Sequence, residues 1–83
     1  MEYRVYKLAV TISQVENGMN YDTEIFNGLF ASRKEAIKQA QKRFSRQPLN
    51  NYVNSVWAVV YPLIIADKGT TQGKRIYNLY KIL

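Results

Sequence analysis

The chain contains neither cysteine nor histidine. Without thiols there is no disulfide, no thiolate nucleophile and no cysteine metal site. Without imidazole, the usual general base near neutral pH and the commonest metal ligand are both missing. Carboxylates are scarce as well: Glu2, Glu16, Asp22, Glu24, Glu35 and Asp67 stand against twelve lysines and arginines. Asp22 and Glu24 lie two apart and imitate a paired-carboxylate site, but no pocket or positioned partner accompanies them. A serine or threonine nucleophile would need lysine as its activating base, and no spacing supplies one. No calcium-loop pattern is present. The expectation is a protein that binds rather than catalyses, with no cofactor and no metal site.

Long hydrophobic runs are also absent. The longest, VWAVVYPLIIA at 56–66, is interrupted by Pro62 and falls far short of the ~20 residues a spanning helix needs. The N-terminal MEYRVYKLAV carries Lys7 inside its apolar stretch and no small-residue cleavage site, so it does not read as a signal peptide. A soluble, cytoplasmic protein without a membrane partner is expected. At 83 residues the chain is one domain, and 47% hydrophobic and 13% aromatic content is that of a folded one. So short a chain buries a modest core, which a second copy or a partner would supplement.

GTTQGK at 69–74 invites comparison with a phosphate-binding P-loop. It has three residues between the glycines instead of four, and Arg75 stands where a magnesium-holding hydroxyl belongs. A strand comes after it, not a helix, so no helix N-terminus faces a phosphate. What remains is a flexible connection whose Lys68, Lys74 and Arg75 could touch phosphates without base preference.

Residues 3–15 alternate, with Tyr6, Leu8, Val10 and Ile12 on one face of a strand. Asn17-Gly18 is the commonest signal for a type I′ hairpin turn, and a return strand over 19–30 puts Val10 opposite Ile25 and Ile12 opposite Thr23. A second Asn-Gly at 27–28 reads as a bulge that re-aims Leu29 and Phe30. Ser32 and Glu35 form a capping box. Behind it, Ala36, Ile37, Ala40 and Phe44 converge on one side of a helix that Pro48 ends. A third strand covers 52–66, with Val53, Trp57, Val59, Tyr61 and Leu63 on one face and Val56, Ala58 and Val60 on the other. Pro62 lacks a ladder donor and marks an edge or a bulge. RIYNLYKIL makes a fourth strand. The predicted fold is α+β, a single domain of order ββαββ, with an antiparallel four-stranded sheet and one helix packed on one face.

One helix covers one face, and nothing else in the chain covers the other. Strands 3 and 4 are nevertheless apolar on both sides, which implies burial on both. A second copy, another protein or stacked bases would supply the cover, with Val56, Ala58, Val60, Ile76, Tyr80 and Ile82 as candidate interface residues. Tyr3, Tyr77 and Tyr80 are the aromatics available to stack on bases.

The most distinctive feature lies on the helix. Lys34, Lys38, Lys42 and Arg46 recur every four residues, each step climbing about 6 Å and drifting about 40° around the axis. Arg33 and Arg43 add to the charge, and only Glu35 opposes it. The first functional expectation is a small basic module that meets nucleic acid through this ladder, helped by Lys68, Lys74 and Arg75. The alternative is a protein-interaction module, an inhibitor or assembly factor, homodimeric or not, that works through the open sheet face.

Overall fold

The computed structural model describes residues 1–83. Strands β1 (Tyr3–Glu16) and β2 (Met19–Phe30) form a hairpin, helix α1 (Arg33–Arg46) comes next, and β3 (Val53–Ala66), β4 (Gly69–Gln72) and β5 (Tyr77–Ile82) complete one antiparallel sheet. The lateral order is β2-β1-β3, with β4 and β5 one after the other along the free edge of β3. The ββαββ order is matched in part: the sheet has five strands instead of four, with the short β4 preceding the strand expected from RIYNLYKIL. Asn17 and Gly18 both adopt positive φ, 53° and 76°, the type I′ requirement that only such residues meet cheaply. At the same end of the hairpin the Tyr21 hydroxyl donates to the Glu16 carboxylate.

The break between β4 and β5 has a cause in Pro62. Its carbonyl accepts from Gly73 N at 2.9 Å. Backbone N–H and C=O of one strand residue point the same way, so the donor that proline lacks is missing from this edge. The partner strand loops outward there: Leu63 pairs with Gln72 and Val60 with Tyr77, leaving four residues opposite Tyr61 and Pro62. The flexible connection expected around GTTQGK, 69–74, thus contains a short strand, β4, before this bulge.

Two smaller bulges shift faces elsewhere. In β2 the extra residue is Ile25, because Val10 pairs with Phe26 and Thr11 with Glu24. Val10 is therefore opposite Phe26, not Ile25, while Ile12 faces Thr23 as expected. Asn27 and Gly28 stay in the ladder opposite Ala9 and Leu8. Gly28 serves packing: a Cβ there would lie 2.7 Å from the Phe26 ring. In β3, Ser13 pairs with Ser55 but Gln14 with Val53, so Val53 turns to the helix side, away from Trp57.

The helix sits where side chains are smallest. Ala36 and Ala40 are fully buried against Leu8, Val10, Ile12, Val56, Ala58 and Val60, and Phe44 packs half-buried against that cluster. Ile37, expected on the same side, is half-buried but outside it. Ser32 Oγ caps the start, accepting from Glu35 N at 3.1 Å. At the far end Lys81 Nζ donates to the Phe44 carbonyl at 3.0 Å and lies 4.7 Å from the centre of its ring, which sets a cation on the negative end of the helix dipole. Three of the candidate interface residues, Val56, Ala58 and Val60, thus belong to the covered face. Periodicity marks two apolar faces of β3 without saying which one the helix takes. Ile76 also packs against the helix-side core, because the bulge before β5 takes it out of phase with Tyr80 and Ile82.

The molecule measures 49 × 24 × 16 Å. Fourteen helical residues span about 21 Å, so α1 shields less than half the length of the sheet, not a whole face. Beyond it β1, β3 and β4 continue as a three-stranded arm. The radius of gyration, 14.6 Å, exceeds the roughly 12 Å of a compact chain of this length. Only ten residues are buried. Because Ala36 and Ala40 set how closely helix and sheet approach, Ala40→Leu is expected to cost about 1–3 kcal/mol in urea unfolding. Raising the pH offers a second check on the hairpin. The hydrogen bond to Glu16, then desolvation and the same carboxylate's charge, holds Tyr21 above its ordinary value of 10.0. An absorbance titration should find Tyr21 ionising late, and Glu16→Gln should bring it down.

Candidate nucleic-acid interface

Helix α1 is amphipathic with its alanine stripe on the sheet, so its outward side is whatever the ladder supplies. Lys34, Lys38, Lys42 and Arg46 are all exposed, as are Arg33 and Arg43. No carboxylate lies within ion-pair distance of any of them. The single ion pair of the molecule joins the Met1 amine to Asp67 at 3.2 Å.

The ladder drifts across the helix, and its two halves meet different surroundings. Lys34, two turns before Gln41, shares its flank, the β5 side on which Gln41 Nε2 donates to the Tyr77 hydroxyl at 3.0 Å. Lys42 and Arg46, joined by Arg43, border a cleft of about 260 Å³ between the second half of α1 and β2. Its floor includes Phe26, with the Arg43 guanidinium 3.5 Å from the ring centre. Gln39 and Gln47 add amide groups to the rim. Three cations and two amides around one hollow suit a phosphate oxygen or a carboxylate. The contribution of Arg43 and Phe26 to this hollow is visible only once α1 lies on β2; the spacing 39, 42, 43, 46 along one helical flank was its one trace in the sequence.

Part of this charge has a role in folding. Arg43 and Arg46 lie in the last turn, where cations favour the helix dipole by about 0.3–1 kcal/mol each. Arg33 and Lys34 lie in the first turn, where the same dipole disfavours them. Helix stability therefore accounts for one end of the cationic face and not the other.

The remaining candidates do not gather there. Lys68 occupies the β3–β4 turn at the tip of the arm. Lys74 and Arg75 belong to the bulge opposite Tyr61 and Pro62. Arg75 reaches over the sheet face opposite α1, where it lines a broad hollow of about 530 Å³ with Trp57, Val59, Asn78 and Tyr80. The Trp57 and Tyr80 rings lie 6.2 Å apart there. Of the proposed stacking tyrosines, Tyr3 and Tyr80 are on this open face, each 56% exposed; Tyr77 is not, because it packs against the helix-side core. Trp57, which centres the face, had stood out only as one apolar residue among several on its strand.

No helix is long and apolar enough to cross a membrane. No protein-family description, curated protein or solved structure matches this chain. Uncompensated charge on a helix leaves a measurable signature. Lys38→Glu removes two like-charge neighbours at four-residue spacing, and is expected to stabilise the fold by about 0.5 kcal/mol. The gain, read from urea unfolding, should shrink as salt rises.

Proposed function

We propose that this protein is a small non-enzymatic binding module that associates with nucleic acid through the outer face of α1. The observation that carries this reading is the segregation of charge. Residues 33–46 hold six cations and one carboxylate, a net +5, out of +6 for the whole chain. The other 69 residues are within one charge of neutrality. Because α1 is seated by its alanine side, it offers mainly the tips of long cationic side chains, with Glu35, Gln41 and Ser45 the other exposed residues. Phosphate contacts from such tips carry no sequence information, so binding that rests on them is expected to tolerate any sequence. Lys42 and Arg46, with Arg43 beside them, would meet phosphates at the β2 cleft, with Lys34 and Lys38 tracking the backbone beyond it.

A second reading rests on a separate feature. Trp57, Tyr80 and Arg75 surround one hollow on the open sheet face, and these three residue types dominate the energetic centres of protein interfaces. On that reading the protein is an interaction module, and its affinity for a partner would depend little on salt.

If the four ladder cations each neutralise one duplex phosphate, log affinity against log salt should slope by about −3.6. The double substitution Lys38→Gln with Lys42→Gln should flatten the slope by about 1.8 and leave the fold intact, since both residues are exposed and glutamine is nearly as good a helix former. Fluorescence anisotropy with duplex, single-stranded and heparin competitors reads the result. No binding to any of them at about 50 mM salt would remove the nucleic-acid reading and leave the sheet-mediated one.

A further inference from the structure

The open sheet face has a self-complementary pattern that the helix reading does not use. Strand pairing sets its residues in rows across β2, β1, β3 and β5: Asp22, Ser13, Ser55, Ile82; then Glu24, Thr11, Trp57, Tyr80; then Asn27, Ala9, Val59, Asn78. Along β1 the row members are small, and along β3 they include the large Trp57 and Val59. Carboxylates mark the β2 edge, and Arg75 reaches over the β5 edge beside Tyr80.

From this pattern we infer that the open face binds a second copy of the chain, packed sheet to sheet about a two-fold axis parallel to the strands. That axis lays β1 of one copy over β3 of the other, so Ala9 comes over Val59, already largely covered by its own neighbours, and Thr11 receives the larger Trp57, small against large as interdigitating layers require. It also lays β2 over β5, which brings Glu24 of each copy to the Arg75 edge of the other. A two-fold axis across the strands would instead set β2 on β2 and oppose carboxylate to carboxylate. Aligned sheets pack at about −30°, so the correspondence is closest at the centre, where Trp57 sits.

Size and charge agree with this occupant. The four-stranded part of the face runs about 19 Å across and about 20 Å along, and the three-stranded arm out to Tyr3 adds about 14 Å by about 14 Å, roughly 600 Å² per copy, at the lower end of the standard interface range. The two cationic helices end up on opposite outer sides, roughly 30 Å apart by layer spacing, several Debye lengths away at physiological salt. Their repulsion does not oppose the pairing.

Sedimentation at about 100 μM should give twice the 9.7 kDa protomer mass. Trp57 is the only tryptophan, and its emission should move to longer wavelength as dilution separates the copies. Glu24→Arg alone and Arg75→Glu alone should each weaken the dimer at least about tenfold. Mixed in equal amounts they should recover it, because both cross-pairs are then of opposite sign. Both positions are exposed, so circular dichroism should show each variant folded. A protomer mass at that concentration, a dimer indifferent to both substitutions, or variants that fail to recover on mixing would overturn the proposal. So would a monomer whose Trp57 emission shifts only when an oligonucleotide or another protein is added.

Discussion

One short helix must shield a sheet more than twice its length, and most of the structure depends on that mismatch. Where α1 lies, the sheet has a core: Leu8, Val10, Val56 and Val60 are its largest fully buried side chains. Where α1 does not reach, β1, β3 and β4 run on as an arm with apolar residues on both sides, Leu63 and Ile65 on one and Ile64 on the other. The surface is 5775 Å², against about 5,100 Å² for a compact protein of this mass. The excess belongs to a sheet that outgrows its helix.

The sizes of the side chains decide how the mismatch is arranged. A helix approaches a sheet closely only over small residues, and Ala36 and Ala40 lie over a patch that contains Ala58. The opposite face of the same strand carries Trp57 and Tyr61, which would hold any helix off. The two faces of β3 are thus alike in polarity and unlike in volume. Volume, not hydrophobicity, chose the covered one. On the uncovered side Val59 is still only 6% exposed and Ser55 4%, so their neighbours shield the centre of that face before any partner arrives.

Much of this was legible in the residues, and the failures have a common origin. Hairpin, helix cap, helix limits and the order of elements along the chain came from local signals: positive φ at Asn17-Gly18, the Ser32 hydroxyl, alternation and Pro48. The lateral order of the strands did not. Face assignments failed wherever an extra residue entered a strand. Ile25, Asn54 and the loop at Gly73–Ile76 each reverse the phase of their strand, and period-two alternation carries no record of where phase is lost. Pro62 did announce its bulge, through a missing donor. The cationic ladder was legible as a helical spacing, but the cleft beside Phe26 needs two elements to meet. Val56, Ala58 and Val60 were assigned to the wrong side for want of one argument, that alanine faces alanine.

Folding accounts for the cations in the last turn of α1, Arg43 and Arg46, and not for the rest of its charge. A domain of this length is stable by some 4–12 kcal/mol, and ten buried residues leave little in reserve. Three like-charge pairs at four-residue spacing, Lys34–Lys38, Lys38–Lys42 and Lys42–Arg46, together cost about 1 kcal/mol, and Arg33 and Lys34 oppose the dipole besides. A single glutamate at position 38 would relieve two of those pairs without touching the core. The two-sheet arrangement inferred for the open face leaves both helices outermost, where charge is least costly to hold and most accessible. With +5 on one fourteen-residue helix, the like charges of α1 are held together at a small cost that any bound polyanion would relieve.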